Sequence, residues 1–235
     1  MNMKRIGITA LMMLSAIIIV GCTKDNGGGN SYNSHEYVDL GLPSGTLWAT
    51  CNVGATTPEG FGDYFAWGET TPKDTYDLSN YAHCIAIDNY NCKYTKYCTN
   101  SSYGYNGFTD NLTTLLPEDD AATANWGNGW CTPTDEQWME LKNYTVSVWA
   151  PQNGVLGRLF SASNGNSLFL PAAGYRWADE LNYAGSIGYY WSSALRTDDP
   201  RDAWSVGFNS DDYRVCSYYR YTGFTVRPVR SARQN

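Results

Sequence analysis

The residues best suited to catalytic chemistry are few and are scattered along the chain. The two histidines are His35, near the N-terminus, and His83, in a polar segment, and no Gly-x-Ser-x-Gly motif accompanies them as a hydrolase nucleophile would require. Two pairs of adjacent aspartates, at 198–199 and 211–212, supply the carboxylates that glycoside hydrolysis uses. Adjacent residues on a strand point to opposite faces, so neither pair is predicted to act on one bond. The sequence therefore predicts no catalytic residues and a protein that is not an enzyme.

The cysteines bear on both disulfides and metal binding. Those that follow residue 22 are Cys51, Cys84, Cys92, Cys98, Cys131 and Cys216. They allow many pairings in an oxidising compartment, although the crowding of three of them between residues 84 and 98 favours a local bridge. A zinc site is the alternative, but Cys-x-x-Cys spacing is absent and only two histidines are available. Calcium-binding Glu-Pro-Asn and Trp-Asn-Asp motifs are absent as well, so we expect no metal and no cofactor.

The strongest signal for binding is segment 196–222, which reads RTDDPRDAWSVGFNSDDYRVCSYYRYT. Its mixture of Tyr, Ser, Asn, Gly and Arg is typical of recognition surfaces, because Tyr gives a large contact area at low rotamer cost and Arg makes bidentate or stacked contacts. Tyrosines crowded among few aliphatic residues favour a binding surface over a solvated hairpin that merely shields the sheet. The predicted ligand-binding residues are Arg196, Asp199, Arg201, Asp202, Ser205, Asp212, Tyr213, Arg214, Cys216, Ser217, Tyr218, Tyr219, Tyr221 and Thr222.

Composition limits what the elements around these residues can be. The chain has 235 residues, of which 15% are aromatic and 17% are charged. That supplies enough apolar surface for one medium-sized domain or two small ones, and the charge is too low for a disordered chain. The formal net charge is −7 at pH 7. A negative chain is not attracted to phosphate backbones, so we expect no nucleic-acid partner.

The N-terminus predicts export and attachment to a membrane. Residues 1–21 hold a short basic start and an apolar run, which is typical of a secretory signal and too short to cross a membrane. The run ends in Ile-Val-Gly-Cys, which resembles the lipobox of bacterial lipoproteins, so Cys22 is the predicted lipidation site. An ordinary cleaved signal is the alternative. Residues 22–34 are predicted to form a flexible tether and residues 35–235 the domain, at the outer membrane and facing the cell surface or the periplasm.

Short strand-like runs alternate with turn signals over most of the domain. Residues 36–53 predict a hairpin, residues 64–67 an aromatic strand and residues 69–102 a long loop. Helices are predicted at 117–126, where Pro and acids open an Ala-rich run, and from Thr134, which begins a capping box. Later strand-like runs lie at 168–170, 189–191, 204–208 and 224–229. Together these elements predict an α+β fold with short antiparallel strands, two short helices and long loops.

Motifs spread along the chain resemble one family of bacterial proteins. They read YVDLGLPSGTLWATCNVGA (37–55), FAWGET (65–70), DDAATANWGNGWCTPTDEQWMEL (119–141), FLPAAGYR (169–176), GYYWSS (188–193) and GFTVRPVR (223–230). In this order they resemble the Fibrobacter succinogenes major paralogous domain family, whose members are secreted or lipid-anchored. The resemblance implies a C-type-lectin-like domain, in a branch shared with formylglycine-generating enzymes.

The resemblance also implies roles for individual residues. It implies a disulfide between Cys84 and Cys98, whereas Cys131 stands where family members often carry Arg. Arg220 recurs in the family pattern and is therefore predicted to belong to the scaffold. Formylglycine-generating enzymes need a redox-active pair of cysteines near the C-terminal part of the site. Only Cys216 lies there, so that activity is not supported.

Segment 196–222 carries a second resemblance. Most of its polar and aromatic residues belong to the set that is reachable from an Asn codon by changing adenines, and Lys, Glu, Gln and Met are missing. This pattern resembles the variable segment of proteins targeted by diversity-generating retroelements. Chance is the alternative, since short polar segments often lack several residue types.

Taken together, the sequence predicts a lipid-anchored, extracytoplasmic ligand-binding module of the receptor or adhesin type. Its expected partner is a protein or glycan ligand at the cell surface, bound by segment 196–222. The runner-up is a structural envelope or adhesive-filament component in which the same segment mediates assembly. A formylglycine-generating-type enzyme is the least favoured, because it rests on fold analogy alone.

Overall fold

Strands dominate the secondary structure of the protein. The computed structural model describes residues 30–88 and 91–231. Strand accounts for 40% of the structure and helix for 13%. The predicted α+β class is therefore wrong, because the protein is β-rich and its helices are minor additions to several antiparallel sheets.

Sixteen strands are found in the described residues. In chain order they are β1 (Ser31–Tyr32), β2 (His35–Asp39), β3 (Thr46–Ala49), β4 (Tyr64–Phe65), β5 (Cys84–Ala86), β6 (Cys92–Tyr94), β7 (Thr145–Gln152), β8 (Val155–Ala162), β9 (Ser167–Pro171), β10 (Tyr175–Trp177), β11 (Glu180–Asn182), β12 (Gly188–Leu195), β13 (Asp202–Phe208), β14 (Tyr213–Tyr219), β15 (Phe224–Thr225) and β16 (Val229–Ser231). The two α-helices in the same residues are α1 (Ala121–Trp126) and α2 (Asp135–Tyr144).

Three sheets and two separate hairpins organise these strands. The largest sheet has the order β14-β13-β12-β15-β4, a second has the order β1-β2-β3-β16, and a third has the order β7-β8-β9. The pairs β5–β6 and β10–β11 form the two hairpins. The β12–β15 pairing is parallel, at Tyr190 and Thr225, whereas the neighbouring β12–β13 and β13–β14 pairings are antiparallel. The C-terminal strand β16 pairs with β3 and so joins the two ends of the domain.

The sequence pattern understates the strand content in two places. β7 and β8 are eight residues each and form a long hairpin. Its turn holds Asn153 and Gly154 at φ values of 47° and 85°, the left-handed conformation that favours Asn-Gly in two-residue hairpin turns. This Asn-Gly pair is the local signal from which the hairpin could have been predicted. The expected loop at 69–102 also contains a hairpin, β5–β6.

Both predicted helices are present. The carboxylate of Asp120 caps α1 by accepting hydrogen bonds from the N–H groups of Ala122 and Thr123. α2 opens with the predicted capping box, formed by Thr134 and Gln137. The first turn of the expected 117–126 helix is instead a separate 3-10 turn at Pro117–Asp119.

The predicted N-terminal features fall mostly outside the described part of the chain. Residues 1–29, which include the expected signal peptide and Cys22, are not among the described residues. The last part of the expected 22–34 tether is described, and Ser31–Tyr32 pairs there with β2. None of the helices in residues 30–88 and 91–231 is long and apolar enough to cross a membrane.

The expected disulfide between Cys84 and Cys98 is not supported. All six cysteines of the described residues are free, and no two of them lie at disulfide distance. Cys98 is buried, and its thiol donates to the carbonyl oxygen of Asn100 at 3.2 Å. Cys84 lies on β5, where its thiol donates to the carbonyl oxygen of Leu78 at 3.7 Å. The pairing of β5 with β6 puts Tyr94, and not another cysteine, opposite Cys84.

The core consists of aromatic clusters on the two sides of the largest sheet. One cluster includes Trp67, Trp191 and Phe224. The other lies against α2 and includes Trp138 and Tyr190, with the indole of Trp138 donating to the main-chain oxygen of Trp191 at 3.2 Å. The sheet is therefore buried on both faces over its centre.

Candidate functional site

The predicted binding segment 196–222 forms a hairpin at the edge of the largest sheet. β14 is the outermost strand, and it pairs with β13 over all of Tyr213–Tyr219. Because side chains alternate along a strand, Tyr213 and Tyr219 share one face, whereas Tyr218 lies on the other. What covers each face at each end of β14 therefore decides which of these rings reach solvent.

Three of the predicted binding residues, one of them packed against α2, are buried in the interior. Tyr213 is 5% exposed, and its hydroxyl donates to the carbonyl oxygen of Trp138 at 3.1 Å. Burial also raises the pKa of the Tyr213 phenol. Ser205 and Thr222 are fully buried. These three side chains do not reach the surface, so the candidate site no longer includes them.

At the other end of β14, aromatic side chains form a continuous set of ring contacts, of which three rings are exposed and four are half-buried against the core. The set, called the aromatic surface below, consists of Tyr175, Trp177, Tyr183, Tyr189, Tyr218, Tyr219 and Tyr221. Centroids of neighbouring rings lie 5.3–6.3 Å apart, which is the spacing of favourable aromatic pairs. Trp177 is 38% exposed, Tyr219 44% and Tyr183 60%. The predicted segment therefore contributes to a larger surface than itself.

The β10–β11 hairpin supplies three of these rings from outside segment 196–222. Tyr175 and Trp177 lie on β10, and Tyr183 directly follows β11. Sequence reasoning missed them, because the family resemblance assigns the first of them to a motif shared by the scaffold. The signal that could have found them is the string YRWADELNY (175–183), in which aromatic residues flank a turn.

Main-chain hydrogen bonds fix the β10–β11 hairpin against the end of segment 196–222. Arg176 and Gly223 exchange two N–H···O bonds of 2.8 and 3.0 Å, and Ala178 and Tyr76 exchange two of 2.8 and 2.9 Å. A Cβ atom at Gly223 would lie 2.8 Å from the Tyr76 ring, so glycine permits this close approach. The aromatic surface is thus held by backbone contacts and does not depend on ring stacking alone.

The charged residues of the segment are paired with one another. The Arg196 guanidinium lies 3.0 Å from Asp198 and 3.3 Å from Asp202, and that of Arg201 lies 2.7 Å from Asp199. Hydrogen bonds from these arginines hold the pKa of Asp198 and of Asp199 below its usual range. The two guanidinium groups therefore form a polar rim beside the aromatic rings, with many of their donors already used.

The remaining predicted binding residues are divided between this rim and more distant positions. Ser217 donates a hydrogen bond of 3.1 Å to the Asp202 carboxylate. Cys216 is half-buried, and burial raises the pKa of its thiol. Asp212 and Arg214 are exposed, at or just after the turn between β13 and β14. Ser217 and Asp202 thus belong to the polar rim, through their contacts with Arg196, whereas Asp212 lies at the opposite end of the hairpin.

Arg220 anchors the hairpin from the inside. Its guanidinium is fully buried and lies 4.5–5.9 Å from the centroids of four rings, those of Trp67, Tyr81, Tyr94 and Tyr97. It donates hydrogen bonds of 2.9–3.1 Å to the Tyr81 hydroxyl and to the main-chain oxygens of Lys96, Tyr97 and Pro200. The prediction that Arg220 belongs to the scaffold is confirmed.

A polar cleft of about 400 Å³ lies beside β10. The side chains that line it include Asp63, Tyr64, Lys73, Asp74, Tyr76, Arg176 and Asp179. Arg176 lies over the Tyr64 ring, 5.4 Å from its centroid. Within residues 30–88 and 91–231, the Arg176 guanidinium and the carboxylates of Asp63, Asp74 and Asp179 make no hydrogen bond or ion pair. These groups are therefore available to form hydrogen bonds or ion pairs with a ligand.

The two histidines pack against aromatic rings that do not belong to the aromatic surface. His35 stacks on Trp126 with 3.7 Å between centroids, and His83 places Nε2 2.7 Å from the carbonyl oxygen of Gly68. Desolvation by burial lowers the pKa of both imidazoles. Over the described part of the chain, no group of three His, Cys, Asp or Glu side chains is arranged to hold a metal ion.

Comparison with known proteins gives one match. A family model described as a domain of unknown function (DUF8237) matches residues 157–229. The matched stretch includes all seven residues of the aromatic surface together with Arg220. No curated protein and no solved structure matches the chain.

Proposed function

We propose that the protein is a lipid-anchored, extracytoplasmic ligand-binding module of the receptor or adhesin type, and that the aromatic surface is its binding site. The observation that carries the proposal is the cluster of exposed rings, Trp177, Tyr183 and Tyr219, that the β10–β11 hairpin and β14 hold in contact with half-buried neighbours. Exposed apolar patches of this kind mark interaction sites on soluble domains, because leaving large rings in water costs free energy that a partner recovers.

Exposure of these rings is not a general feature of the chain. Many of its large aromatic residues are buried, among them Trp48, Trp67, Trp138 and Trp191. The rings of Trp177, Tyr219 and Tyr221 instead contact one another at the surface. Trp and Tyr are the residues that most often dominate binding energy at interfaces, which supports a role in recognition rather than in the core.

The polar rim favours a role for the arginines in orientation rather than in attraction. Arg196 and Arg201 are neutralised by aspartates of the same segment. Exposed ion pairs contribute little energy, but they fix the direction of the remaining donors. We therefore assign the affinity of the site to its rings and its selectivity to the rim.

Attachment to a membrane rests on the N-terminal sequence. The lipobox-like Ile-Val-Gly-Cys string makes Cys22 the attachment point, and the resemblance to secreted and lipid-anchored proteins supports an outer-membrane location. Replacing Cys22 with Ala should move the protein from the membrane fraction to the soluble fraction, since two or more acyl chains give stable anchoring and none remains. Continued membrane association of Cys22→Ala would remove this part of the proposal.

We also propose that segment 196–222 is diversified. The positions at which diversification would change the ligand surface are fewer than the sequence alone suggests, because some of the residues are buried. Changes at Tyr219 or Tyr221 would alter the ligand surface, whereas changes at Tyr213 would disturb the core. The codons of the exposed positions should end in C or T, and a nearby near-copy of the gene should carry adenines where the two differ. Codons that end in A or G at most of these positions would contradict diversification.

Binding to an array of glycans and cell-envelope proteins tests the site. The unmodified domain should bind at least one array feature, and Trp177→Ala together with Tyr219→Ser should abolish that signal, because both exposed rings are lost. Tyr144→Ser is the matched control, since Tyr144 is 59% exposed at the end of α2. Binding that survives the double variant, or that is lost in Tyr144→Ser instead, would contradict the assignment of the site. Concentration-dependent polymers of the unmodified domain would favour assembly over a receptor role.

A further inference from the structure

Three rings at the edge of the aromatic surface form a small platform. The Tyr219 and Tyr221 rings are nearly parallel, with an angle of 6° between their planes and 5.5 Å between their centroids. The Trp177 ring lies 5.3 Å from Tyr221 and 6.3 Å from Tyr219, tilted by 54° and 49°. We call these residues the ring platform. Its rings are flat and polar at their tips, and they belong to two separate hairpins that backbone hydrogen bonds hold together.

Hydrogen-bonding groups without partners flank the ring platform. Arg176 precedes Trp177 on β10, and Asp179 follows in the turn, and both line the polar cleft. Successive residues of a strand point to opposite faces, so the cleft and the platform lie on either side of β10. In the described residues the Arg176 guanidinium and the Asp179 carboxylate make no hydrogen bond or ion pair. Donors and acceptors are thus available within two residues of an exposed indole.

We infer that the ligand of the aromatic surface is a neutral glycan long enough to cross β10, with sugar rings stacked on the ring platform on one side and hydroxyls of further sugars bound by Arg176 and Asp179 on the other. This inference rests on the proposed function and adds the class of ligand. The face of an aromatic ring is negative and attracts the polarised C–H groups on one face of a sugar. A carboxylate accepts from two hydroxyls at once, and a guanidinium donates in a planar fork.

Charge distinguishes a neutral glycan from an acidic one. The chain carries a formal charge of −7, and the cleft adds the unpaired carboxylates of Asp63, Asp74 and Asp179 against one unpaired guanidinium. Arg196 and Arg201, which would otherwise attract an acidic sugar, are bound by aspartates. A polyanion would therefore be repelled by the carboxylates, whereas a neutral sugar carries no charge and is not repelled.

The polar surroundings favour a glycan over a protein partner. A protein interface desolvates its centre, where unpaired charges are costly, and is completed by aliphatic contacts. Here the rings are bordered by an open cleft with unpaired charged groups, and Leu181 is the exposed aliphatic side chain on the same hairpin. Open, solvated hydrogen-bonding groups suit a ligand that carries hydroxyls along its whole length.

Calorimetric titration with neutral hexasaccharides tests the inference. The probes are cellohexaose, xylohexaose, mannohexaose and maltohexaose, with polygalacturonate as the acidic comparison. At least one neutral probe should bind, with little dependence on salt up to about 1 M, because stacking is not screened. Trp177→Ala should weaken that binding by about tenfold or more, whereas Trp177→Phe should recover much of it because a ring is restored. Asp179→Asn should weaken it severalfold, and Tyr144→Ala should leave it unchanged.

The outcomes separate this inference from the proposed function. If none of the neutral probes binds while the domain binds an envelope protein through Trp177, the glycan inference is overturned and the binding site stands. If polygalacturonate binds best, the charge argument is overturned. If a neutral probe binds equally well to Trp177→Ala and Tyr219→Ser, both folded by circular dichroism, then the site itself is wrong. Neutral binding that is lost in Trp177→Ala and kept in Tyr144→Ala supports both.

Discussion

Tyr213 and Tyr219 are the first and last residues of β14, and they lie on the same face of it, yet their surroundings differ completely. Helix α2 covers the end that holds Tyr213, which is 5% exposed and bonded to the main chain of Trp138. At the other end, the rings that contact Tyr219 within the described residues are those of Trp177, Tyr218 and Tyr221, and Tyr219 is 44% exposed. The presence or absence of a covering helix, and not the residue type, therefore determines which end of β14 belongs to the core and which to the aromatic surface.

The largest predicted effect concerns Arg220, which anchors the hairpin at the end that holds Tyr219. Arg220→Ala should lower the free energy of unfolding by about 5 kcal/mol or more, because it removes a buried cation and leaves several buried acceptors unpaired. Urea unfolding followed by tryptophan fluorescence measures this loss. Arg220→Lys keeps the charge but not the planar fork, so it should recover only part of the stability. A loss of less than about 1 kcal/mol in Arg220→Ala would show that the rings and hydrogen-bond acceptors around Arg220 do not stabilise the hairpin.

The same substitution at the two ends of β14 gives the sharpest test of the comparison. Tyr213→Ser should cost about 3–5 kcal/mol of unfolding free energy, as large-to-small changes in a core do. Tyr219→Ser should cost less than about 0.5 kcal/mol, since its ring is partly in water. Thermal unfolding by calorimetry measures both. Equal losses at the two positions would show that both tyrosines contribute equally to the free energy of unfolding. That result would contradict the division of β14 into a buried end and an exposed end.

A smaller effect concerns alkaline stability. Burial raises the pKa of Tyr213 above its ordinary value of 10.0, so the unfolded chain releases this proton while the folded chain keeps it. The contribution is fully present below pH 10 and is lost as pH rises above it, at up to about 1.4 kcal/mol per pH unit. Tyr213→Phe should cost about 1 kcal/mol at neutral pH for the lost hydrogen bond and should reduce the decline above pH 10. An unchanged slope between pH 10 and pH 12 would contradict the burial of this phenol.

The smallest effect is expected at the polar rim. Arg201→Ala removes the exposed pair with Asp199 and should change the free energy of unfolding by less than about 0.5 kcal/mol. Denaturant unfolding at low and at high salt measures the change, which salt should reduce further because exposed pairs are screened. A loss above about 2 kcal/mol would show that the rim supports the fold, and the separation of rim and core would need revision.

How far the sequence alone predicts this molecule depends on the range of the interactions involved. Local signals were sufficient for α2, whose capping box at Thr134 and Gln137 is present as expected. They were insufficient for the fold class, because much of the strand content is set by pairing between short segments rather than by periodicity within each. The Cys84–Cys98 bridge is wrong for the same reason, since the β5–β6 pairing puts Tyr94 opposite Cys84 and both cysteines are free.

The candidate site was predicted in part. Tyr218, Tyr219 and Tyr221 reach the aromatic surface, as their crowding in a polar segment indicates. Tyr213 fails this expectation, because nothing in its local sequence shows that α2 packs over it. Trp177 was missed because it lies outside the predicted segment and reaches it only through the pairing of Arg176 with Gly223. Which rings are exposed is a property of tertiary packing, and a local pattern does not contain it.

One variant tests ligand binding and stability together. We propose that the uncovered end of β14 binds ligand, whereas the covered end belongs to the core. Tyr219→Ser should bind about tenfold more weakly than the unmodified domain to the ligand that the array identifies, with unfolding free energy within about 0.5 kcal/mol of it. Unchanged affinity, or a stability loss above about 2 kcal/mol in the same sample, would contradict the claim.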